Sequence, residues 1–375
     1  MGLNSQNSPR VSILLPTHNR ANVLPFAIRS VLAQTVRDFE LLVVGDGCTD
    51  NSADVVQGFN DSRIHWFDLP KTPGFGYANR NIILQKARGE YIGFMAHDDL
   101  WLSDHLELLL PLFKDKNLEI VYSRPLWVIP VGMIVPGFFN LNHLQTRQAF
   151  LKKQANAIPA SCVIYRRNCF QKYGYWNDKL PQSADWDMWI RIIKGGGEEN
   201  FAYLGDSTCL HFKANWHDET YDETFGFRFW KRLFAFDQIP ASLKVDVVCG
   251  EIEQEAVWGE MAAGPREWNK KIRTALQQTI DMCAFQGNLL ANALISLNDE
   301  FIIESLPLHP SMSSDFLRFN GAFMQILMDL KSVQDIKNTL AWKIHEYIAK
   351  SYLVRNFYLK IVTLIKHSLS KIKKY

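Results

Sequence analysis

The stretch GEYIGFMAHDDLWLSDHL, residues 89–106, is the segment from which the fold of this chain can be worked out. Tyr91 to Ala96 is an unbroken run of apolar and small residues, short enough for a strand buried on both faces. The run stops at His97, Asp98 and Asp99. Two adjacent carboxylates are therefore predicted at the carboxyl end of a buried strand, the edge at which open α/β sheets bind ligands.

The acidic pair has two interpretations. Adjacent carboxylates repel each other, so a cation or hydrogen-bond donors must compensate them, and oxygen ligands of this kind suit Mg²⁺ or Mn²⁺. The alternative is a turn before a helix that Ser103 caps and that begins near Asp104, because Asp is common at helix N-termini in any case. This segment alone leaves both interpretations open.

Length and composition limit the class of protein. A chain of 375 residues with 47% apolar residues is predicted to form one large domain with an extension, or two domains. The net charge of +2 implies no general attraction to nucleic acid. Six scattered cysteines without a Cys-x-x-Cys pair indicate buried thiols of a reducing compartment. No apolar stretch reaches the ~20 residues of a membrane span, and residues 1–10 do not form a signal peptide. A soluble or peripheral cytoplasmic protein is expected.

The first half of the chain alternates strand and helix patterns. Short apolar runs predict strands at Val11–Leu15, Leu41–Val44, Ile64–Phe67 and Tyr91–Ala96, with helical spacing between them. This alternation is typical of parallel βαβ units, so a mostly parallel central sheet flanked by helices is predicted. Two more strands are predicted at Ile120–Ser123 and Ser161–Tyr165, and residues 125–159 receive no assignment.

A second informative segment is SADWDMWIRIIKGGG, residues 183–197. Its apolar residues recur at helical spacing, Ser183 is a natural N-cap, and the glycines end the helix. Asp185 and Asp187 fall in the first turn on opposite flanks of the apolar stripe. Either both complement the helix dipole or one faces a cleft as a general base, and periodicity does not choose between these hypotheses.

Long helical patterns dominate after about Ile239, which predicts a domain at 1–238 and a helical accessory region at 239–375. The last segment, Tyr352–Tyr375, has an apolar face and many lysines, as in a basic amphipathic helix. Such a helix fits the anionic inner face of a membrane or a partner groove. A packed terminal helix with a solvated charged face is the other open interpretation.

Four motifs in order resemble the family 2 glycosyltransferases of the GT-A fold, over residues 11–212. They are VSILLPTHNR, LLVVGDGCTDNS, GFGYANRNIILQKARGEYIGFMAHDDLW and SADWDMWIR. The resemblance implies a Rossmann-like sheet and a metal-dependent, inverting hexosyl- or related transferase. Its donor would be a nucleoside-diphosphate sugar, with a UDP-sugar favoured, and its acceptor a saccharide or lipid-linked hydroxyl. Mn²⁺ or Mg²⁺ would be the cofactor, and cell-surface polysaccharide or glycolipid synthesis the setting.

The resemblance also implies roles for the residues that would bind the donor. Asp46 matches an acidic position that contacts base or ribose, and Asp98 one that helps to hold the ribose, the donor sugar or the metal. The positions that border the base are Pro16, Thr17 and Asn19. The positions near the ribose and diphosphate are Gly74, Arg80 and Asn81.

The metal and the base are assigned in the same way. Asp99 matches the metal-binding carboxylate, and His211 the place of a histidine that supports the metal or diphosphate, although a lone histidine after a strand is more often structural. Asp185 matches the catalytic base. The chain departs from the family pattern at four positions. The family more often has Asp in place of Gly45, Ser in place of Cys48, Asp in place of His97 and Glu in place of Ala184.

Two rival functions are weighed against a glycosyltransferase. A nucleotidyltransferase would place a Gly-rich phosphate loop right after the first strand, where this chain has Pro16-Thr17-His18-Asn19. A non-catalytic nucleotide-sugar-binding protein would have a degraded base or metal site, against which Asp185 and Asp99 argue.

Overall fold

The computed structural model of the chain describes residues 8–129, 132–137, 139–142, 144–197, 199–212, 240–248 and 251–279. The chain divides into two compact units, Met1–Ala275 and Leu276–Tyr375, and only 276–279 of the second are described. The predicted boundary between 238 and 239 and the tail Tyr352–Tyr375 lie outside the described residues. The division into domains and the amphipathic tail therefore stay predictions.

Nine strands form one sheet in the described part of the chain. Along the sheet their order is β3-β2-β1-β4-β8-β6-β9-β5, and β7 pairs with β6 outside this path. The strands are β1 (Val11–Thr17), β2 (Phe39–Asp46), β3 (Ile64–Leu69), β4 (Tyr91–Phe94), β5 (Leu100–Trp101), β6 (Ile120–Ile129), β7 (Met133–Pro136), β8 (Val163–Arg166) and β9 (Phe201–Phe212).

Helices connect and cover these strands. They are α1 (Leu24–Leu32), α2 (Ser52–Gln57), α3 (Tyr77–Leu84), α4 (His105–Leu109), α5 (Leu144–Leu151), α6 (Asn168–Tyr173), α7 (Ala184–Gly196) and α8 (Glu253–Ala263). A further helix, α9, covers 265–279. The spacing of Leu24, Ile28 and Val31 explains why α1 packs on the sheet, since all three are buried on one helical face.

The predicted α/β sheet flanked by helices is confirmed. Strands β1 to β4 are parallel, and every residue of β2 is buried, as expected for a strand covered on both faces. The second half of the sheet is mixed, because β8 runs antiparallel to both β4 and β6 while β9 runs parallel to β6. The unassigned stretch 125–159 contains the end of β6, the antiparallel partner β7 and α5.

The segment after the acidic pair differs from the prediction. Leu100 and Trp101 form the short strand β5, which pairs antiparallel with β9. The following helix α4 begins at His105, so Asp104 and not Ser103 occupies the N-cap position, and no side chain caps the helix. The Ser103 hydroxyl accepts a hydrogen bond from Asn269 Nδ2 at 3.1 Å. Among the described residues, no helix is both long enough and apolar enough to cross a membrane.

Candidate functional site

The polar residues that the motifs single out gather where β1, β2 and β4 end. These strands are parallel neighbours, so their carboxyl ends share one edge of the sheet. Thr17 is the last residue of β1 and faces Gly45 of β2. The carbonyl of Pro16 lies 3.2 Å from His97 Nδ1, which joins the loop after β1 to the loop that carries the acidic pair. The Thr17 hydroxyl is buried and has no hydrogen-bond partner within the described residues.

Asn19 joins the loops that follow β1 and β2. Its backbone is left-handed, with φ of 52°, a conformation that asparagine tolerates better than most residues. Its side-chain oxygen accepts hydrogen bonds from the backbone N–H groups of Thr49 and Asp50 at 2.7 and 3.3 Å. Its amide nitrogen donates to Thr49 Oγ1 at 3.1 Å. The Asn19 side chain therefore holds together the two loops that form the predicted base site.

Asp46, the last residue of β2, organises the next loop. Its carboxylate accepts hydrogen bonds from Lys71, from the backbone and hydroxyl of Thr72 at 3.0 and 2.9 Å, and from Asn79 at 2.6 Å. Burial opposes ionisation of Asp46, but the hydrogen bonds from Lys71 and Thr72 outweigh it and lower the pKa. Asp46 is thus an ionised carboxylate whose acceptor positions are filled by its own chain.

The Gly-rich loop lies directly on Asp46. Gly76 has φ of 73°, and a Cβ atom there would lie 2.8 Å from Asp46 Cγ, so only glycine fits. Gly74 also has a left-handed backbone, with φ of 66°, and packs near the carbonyl of Leu180. Gly76 thus lets the backbone of this loop approach the end of β2 closely.

Gly45 stands where the family more often has an acid, and the structure shows why a side chain does not fit. A Cβ atom at Gly45 would lie 2.5 Å from Cη2 of Trp66, whose ring fills the space beside β2. Trp66 itself is half-buried on β3. The presence of glycine instead of an acid at position 45 is therefore explained by the indole ring of Trp66, which occupies the space of the side chain.

Arg80 presents an unpaired guanidinium. Its carbon lies 5.1 Å from the ring centroids of both Tyr77 and Trp176, a double cation–π contact. Within the described residues no side chain or carbonyl accepts a hydrogen bond from it, and its Nε is buried without a partner. Burial lowers the pKa of Arg80, while nearby Asp185 and Asp46 raise it. Arg80 thus lies near two acidic residues, and its N–H groups are not used in hydrogen bonds within the described residues.

Asn81 has a positioning role that the sequence did not indicate. Its Nδ2 donates to the carbonyl of Trp176 at 2.8 Å, and its oxygen accepts from the N–H of the same residue at 3.1 Å. Both ends of the amide are used on one backbone, so Asn81 holds the aromatic ring against Arg80. The contact of Asn81 with ribose or diphosphate stays a prediction.

Asp99 and His211 form a buried pair. Asp99 is fully buried, and its Oδ1 lies 2.8 Å from His211 Nδ1. Ser161 Oγ donates to Oδ2 at 2.5 Å, and the N–H of Phe212 donates to Oδ1 at 3.3 Å. His211 does not follow its strand, as the sequence indicated, but lies within β9 beside its last residue.

Asp98 differs from its neighbour. Burial raises the pKa of Asp98, and Asp99 raises it further, against the opposite effect of His97. Within the part of the chain that the structure describes, no other side chain donates a hydrogen bond to its carboxylate, and His97 Nε2 lies 4.0 Å away. Its backbone carbonyl accepts a hydrogen bond from Gln254 Nε2 at 3.1 Å.

These residues fit a divalent ion in their chemistry. Two carboxylates and an imidazole are donors that Mn²⁺ or Mg²⁺ accepts. In the described ranges, no three His, Cys, Asp or Glu side chains are arranged as a ready-made metal cluster. Asp98, however, is a largely buried carboxylate without a donor from another side chain, beside the second acid Asp99. A cation there would compensate both.

Asp185 and Asp187 have different surroundings. The Asp185 carboxylate accepts a hydrogen bond from the N–H of Trp186 at 2.8 Å, and burial raises its pKa although Arg80 lowers it. Asp187 instead forms ion pairs with Arg191 at 3.0 Å and Lys153 at 3.3 Å. Only Asp185 is therefore grouped with Arg80. Ser183 does take the N-cap position, but its side chain makes no capping hydrogen bond.

Three site residues were not found from the sequence: Tyr77, Ser161 and Trp176. The rings of Tyr77 and Trp176 both contact the guanidinium of Arg80, and Ser161 donates a hydrogen bond to Asp99. Trp176 stands outside every motif, so no local signal marks it. Ser161 stands at the start of a predicted strand, and a serine in that position gives no indication that it binds Asp99.

Comparison with known proteins identifies the family to which the chain belongs. The sequence model for glycosyl transferase family 2 matches residues 12–174. The chain is 36% identical to the UDP-Glc:alpha-D-GlcNAc-diphosphoundecaprenol beta-1,3-glucosyltransferase WfgD of Escherichia coli, over 49% of this chain and 70% of that protein. It is 33% identical to the putative teichuronic acid biosynthesis glycosyltransferase TuaG of Bacillus subtilis, over 54% of this chain and 77% of that protein.

The chain belongs to family 2 of the glycosyltransferases. It spans a third or less of several other curated relatives, for example 21% of the Pasteurella multocida chondroitin synthase at 30% identity. Among solved structures, S. aureus TarS 1–349 in complex with UDP is similar with a TM-score of 0.44 and 19% identity, over 63% of this chain and 75% of that chain.

Proposed function

We propose that the protein transfers a sugar from a nucleoside-diphosphate sugar to an acceptor hydroxyl with inversion. The observation that carries this proposal is the unpaired guanidinium of Arg80, which lies near Asp185 and Asp46 at the ligand-binding edge of the sheet. A half-buried arginine whose N–H groups are unpaired is suited to bind an anion with several oxygens, because two guanidinium donors can bind two phosphate oxygens at once.

The reaction needs stabilisation of the leaving group. Cleaving the bond between sugar and diphosphate develops negative charge on the diphosphate, and a preorganised cation stabilises it more strongly in a site that excludes water. Arg80 supplies that charge from a fixed position, since its guanidinium lies beside both Tyr77 and Trp176, whose rings contact each other. Asn81 holds the Trp176 backbone and so completes the support.

The acceptor hydroxyl must lose a proton as it attacks the anomeric carbon, and Asp185 is proposed as the base. A carboxylate whose pKa is raised by burial holds a proton more readily than an exposed one, which suits this role. Asp187 is excluded from the role in this proposal because Lys153 and Arg191 already pair with it.

Asp98, Asp99 and His211 are the residues that would hold Mn²⁺ or Mg²⁺. When bound, the ion would act as a Lewis acid that stabilises charge on the diphosphate. The His97 side chain ties this segment to the Pro16 carbonyl. The base and ribose of the donor would lie against the remaining donor-site positions: Pro16, Thr17, Asn19, Asp46 and Gly74.

The donor and acceptor classes follow from the relatives. WfgD is named for UDP-Glc and a diphosphoundecaprenol acceptor, and TuaG for teichuronic acid biosynthesis. A UDP-sugar donor and a saccharide or lipid-linked acceptor are therefore proposed, in cell-surface polysaccharide or glycolipid synthesis. The Gly45–Trp66 contact is the point at which the base site of this chain departs from the usual family pattern.

The experiment is a product assay. Purified protein is incubated with Mn²⁺ and UDP-, GDP- or dTDP-sugars, with and without a pool of lipid-linked and free saccharide acceptors, and free nucleoside diphosphate is measured. Release that rises with acceptor supports a transferase. Pyrophosphate formation from a nucleoside triphosphate and a sugar 1-phosphate would indicate a nucleotidyltransferase instead. Tight donor binding with neither product would indicate a binding protein.

A further inference from the structure

The contact between Asp99 and His211 depends on a very short strand. In the antiparallel pairing of β5 with β9, Leu100 faces Leu210 and Trp101 faces Cys209. The next facing pair beyond Leu100 is Asp99 and His211. Because β5 has two residues, few hydrogen bonds fix this pairing, and a one-residue slip would turn the facing side chains to opposite sides of the sheet.

The other end of this ladder is held by one arginine from α9. Arg273 Nη1 and Nη2 donate to the two oxygens of Asp104 at 2.7 and 2.8 Å. Its Nε and Nη2 also donate to the carbonyl of Ser207 on β9, at 3.0 and 2.9 Å. A planar guanidinium with fixed donor directions defines the separation of its partners, which a flexible ammonium group does not. Arg273 therefore connects the segment after β5 directly to β9.

Two further contacts from the same part of the chain support the segment. Asn269, also on α9, donates to Ser103 Oγ at 3.1 Å, and Gln254 on α8 donates to the carbonyl of Asp98 at 3.1 Å. Burial opposes ionisation of Asp104, but the hydrogen bonds from Arg273 outweigh it and lower the pKa of that carboxyl. The segment that carries the acidic pair is thus fastened on both sides by α8 and α9.

We propose that Arg273 is a positioning residue that fixes the register of β5 on β9 and thereby keeps Asp99 against His211. The inference rests on the proposed function for its effect on turnover. Helices α8 and α9 have in this view a direct part in the site, although they lie outside the family motifs. A shift of about 1 Å at a reacting group reduces rates by about 10²-fold, so even a small loss of register is measurable.

The test compares Arg273→Gln with Arg63→Gln. Arg63 is a matched control, because it makes an equally short two-pronged contact to Asp61, at 3.0 and 2.7 Å, beside β3. Each variant is measured for kcat, donor KM, melting temperature and the ¹⁵N signals of the His211 imidazole. Arg273→Gln is expected to lower kcat about 10- to 10²-fold, to raise the donor KM and to shift the His211 signals. Arg63→Gln should leave kcat and the His211 signals at parental values.

Companion variants keep the test decisive. Asp104→Asn should reproduce part of the loss, and the double variant should be no worse than Arg273→Gln, since Arg273→Gln already removes the contact with Asp104. If Arg273→Gln does not fold, Arg273→Lys keeps the charge without the planar fork and should shift the His211 signals in the same direction. Parental His211 signals and kcat in a folded Arg273 variant would overturn the inference. An inactive parent would reject the proposed function alone, because the His211 signals still report the register.

Discussion

His211 Nδ1 lies 2.8 Å from Asp99 Oδ1, and the two residues belong to segments that are far apart in the sequence. They meet because the pairing of β5 with β9 extends by one further position. Ser161, which lies just before β8, donates a hydrogen bond to the other carboxylate oxygen of Asp99. The carboxylate therefore has a defined orientation before any ligand binds, which is what a preorganised site requires.

Asp99→Asn is expected to weaken UDP binding strongly in the presence of Mn²⁺. The amide keeps the size and one acceptor of the carboxylate but loses the charge that suits a divalent ion. The measurement is UDP affinity by calorimetry, with Mn²⁺ and with a chelator. Asp206→Asn, an exposed acid on the same strand as His211, is the control. If chelator and Asp99→Asn both leave the affinity unchanged, the metal has no place in this site.

Asp185→Asn is expected to reduce turnover by about 10²- to 10⁴-fold, the usual effect of losing a general base. Donor affinity should stay near the parental value, because a base contributes mainly in the transition state. Asp187→Asn is the control and should keep most activity. Its partly exposed ion pairs with Lys153 and Arg191 each contribute at most about 1 kcal/mol to the free energy of unfolding. A folded Asp185→Asn variant with parental turnover would falsify the assignment.

Arg80→Gln is expected to lower kcat by about 10²- to 10³-fold, as when a preorganised donor to a developing anion is removed. Arg80→Lys should recover only part of the loss, since an ammonium group lacks the paired donors. Arg29→Gln on α1 is a matched control, because Arg29 also contacts an aromatic ring, that of Phe26 at 5.4 Å. Similar losses in both variants would show that the effect comes from the cation–π contact and not from the substrate.

His105 should make the folded protein sensitive to mild acid. Its Nδ1 lies 2.7 Å from Thr208 Oγ1, and its Nε2 is buried without a partner in the described part of the chain. Burial lowers its pKa from 6.5 to about 3, although nearby Asp104 opposes this. The folded pKa lies below the unfolded one, so the contribution to stability is complete above pH 6.5 and is lost as the pH falls toward 3.

The expected loss is roughly 2 kcal/mol at pH 5. The measurement is the free energy of unfolding by urea at several values between pH 5 and pH 7.5. In His105→Gln the slope of stability against pH should become flatter, whatever its absolute stability, whereas the half-exposed His65→Gln should keep the parental slope. An unchanged slope in His105→Gln would show that this imidazole is not the group that titrates.

Gly45→Asp restores the residue type that the family more often has, yet it is expected to destabilise this protein. The new Cβ would lie 2.5 Å from Trp66 Cη2, and overpacking of this kind lowers the free energy of unfolding by about 1–3 kcal/mol. Trp66→Leu in the same chain should recover part of that loss. Gly205→Asp on β9 has open space around its Cα and serves as the control. Equal melting temperatures for parent and Gly45→Asp would mean that the indole ring moves aside freely.

The parallel strands could be predicted because each is a short apolar run that ends in polar turn residues, and β1 to β4 follow this rule. Strand β5 could not, since Leu100 and Trp101 resemble the apolar start of the helix that comes next. The place of Asp99 at the end of a buried strand could be predicted from the apolar run before it, whereas the choice of Asp185 over Asp187 and the role of Asp46 came only from the family motifs. The partners of Arg80 and Asp99 depend on which distant segments pack together, and a single sequence contains no local signal for Trp176 or Ser161.

Strand β9 reaches His211 only after its pairing with β6 is interrupted. Ser123 faces Leu204, but the next residue of β6 faces Ser207, so extra residues are accommodated on the β9 side. This makes the length of the segment as constrained as its composition. Deleting Gly205 would draw Phe212 into the place of His211 and present to Asp99 a phenyl ring without a hydrogen-bonding group, while the overall sheet could still form. Surface loops of homologous proteins commonly differ in length. In this strand, by contrast, the deletion of one residue would abolish activity in a protein that still folds.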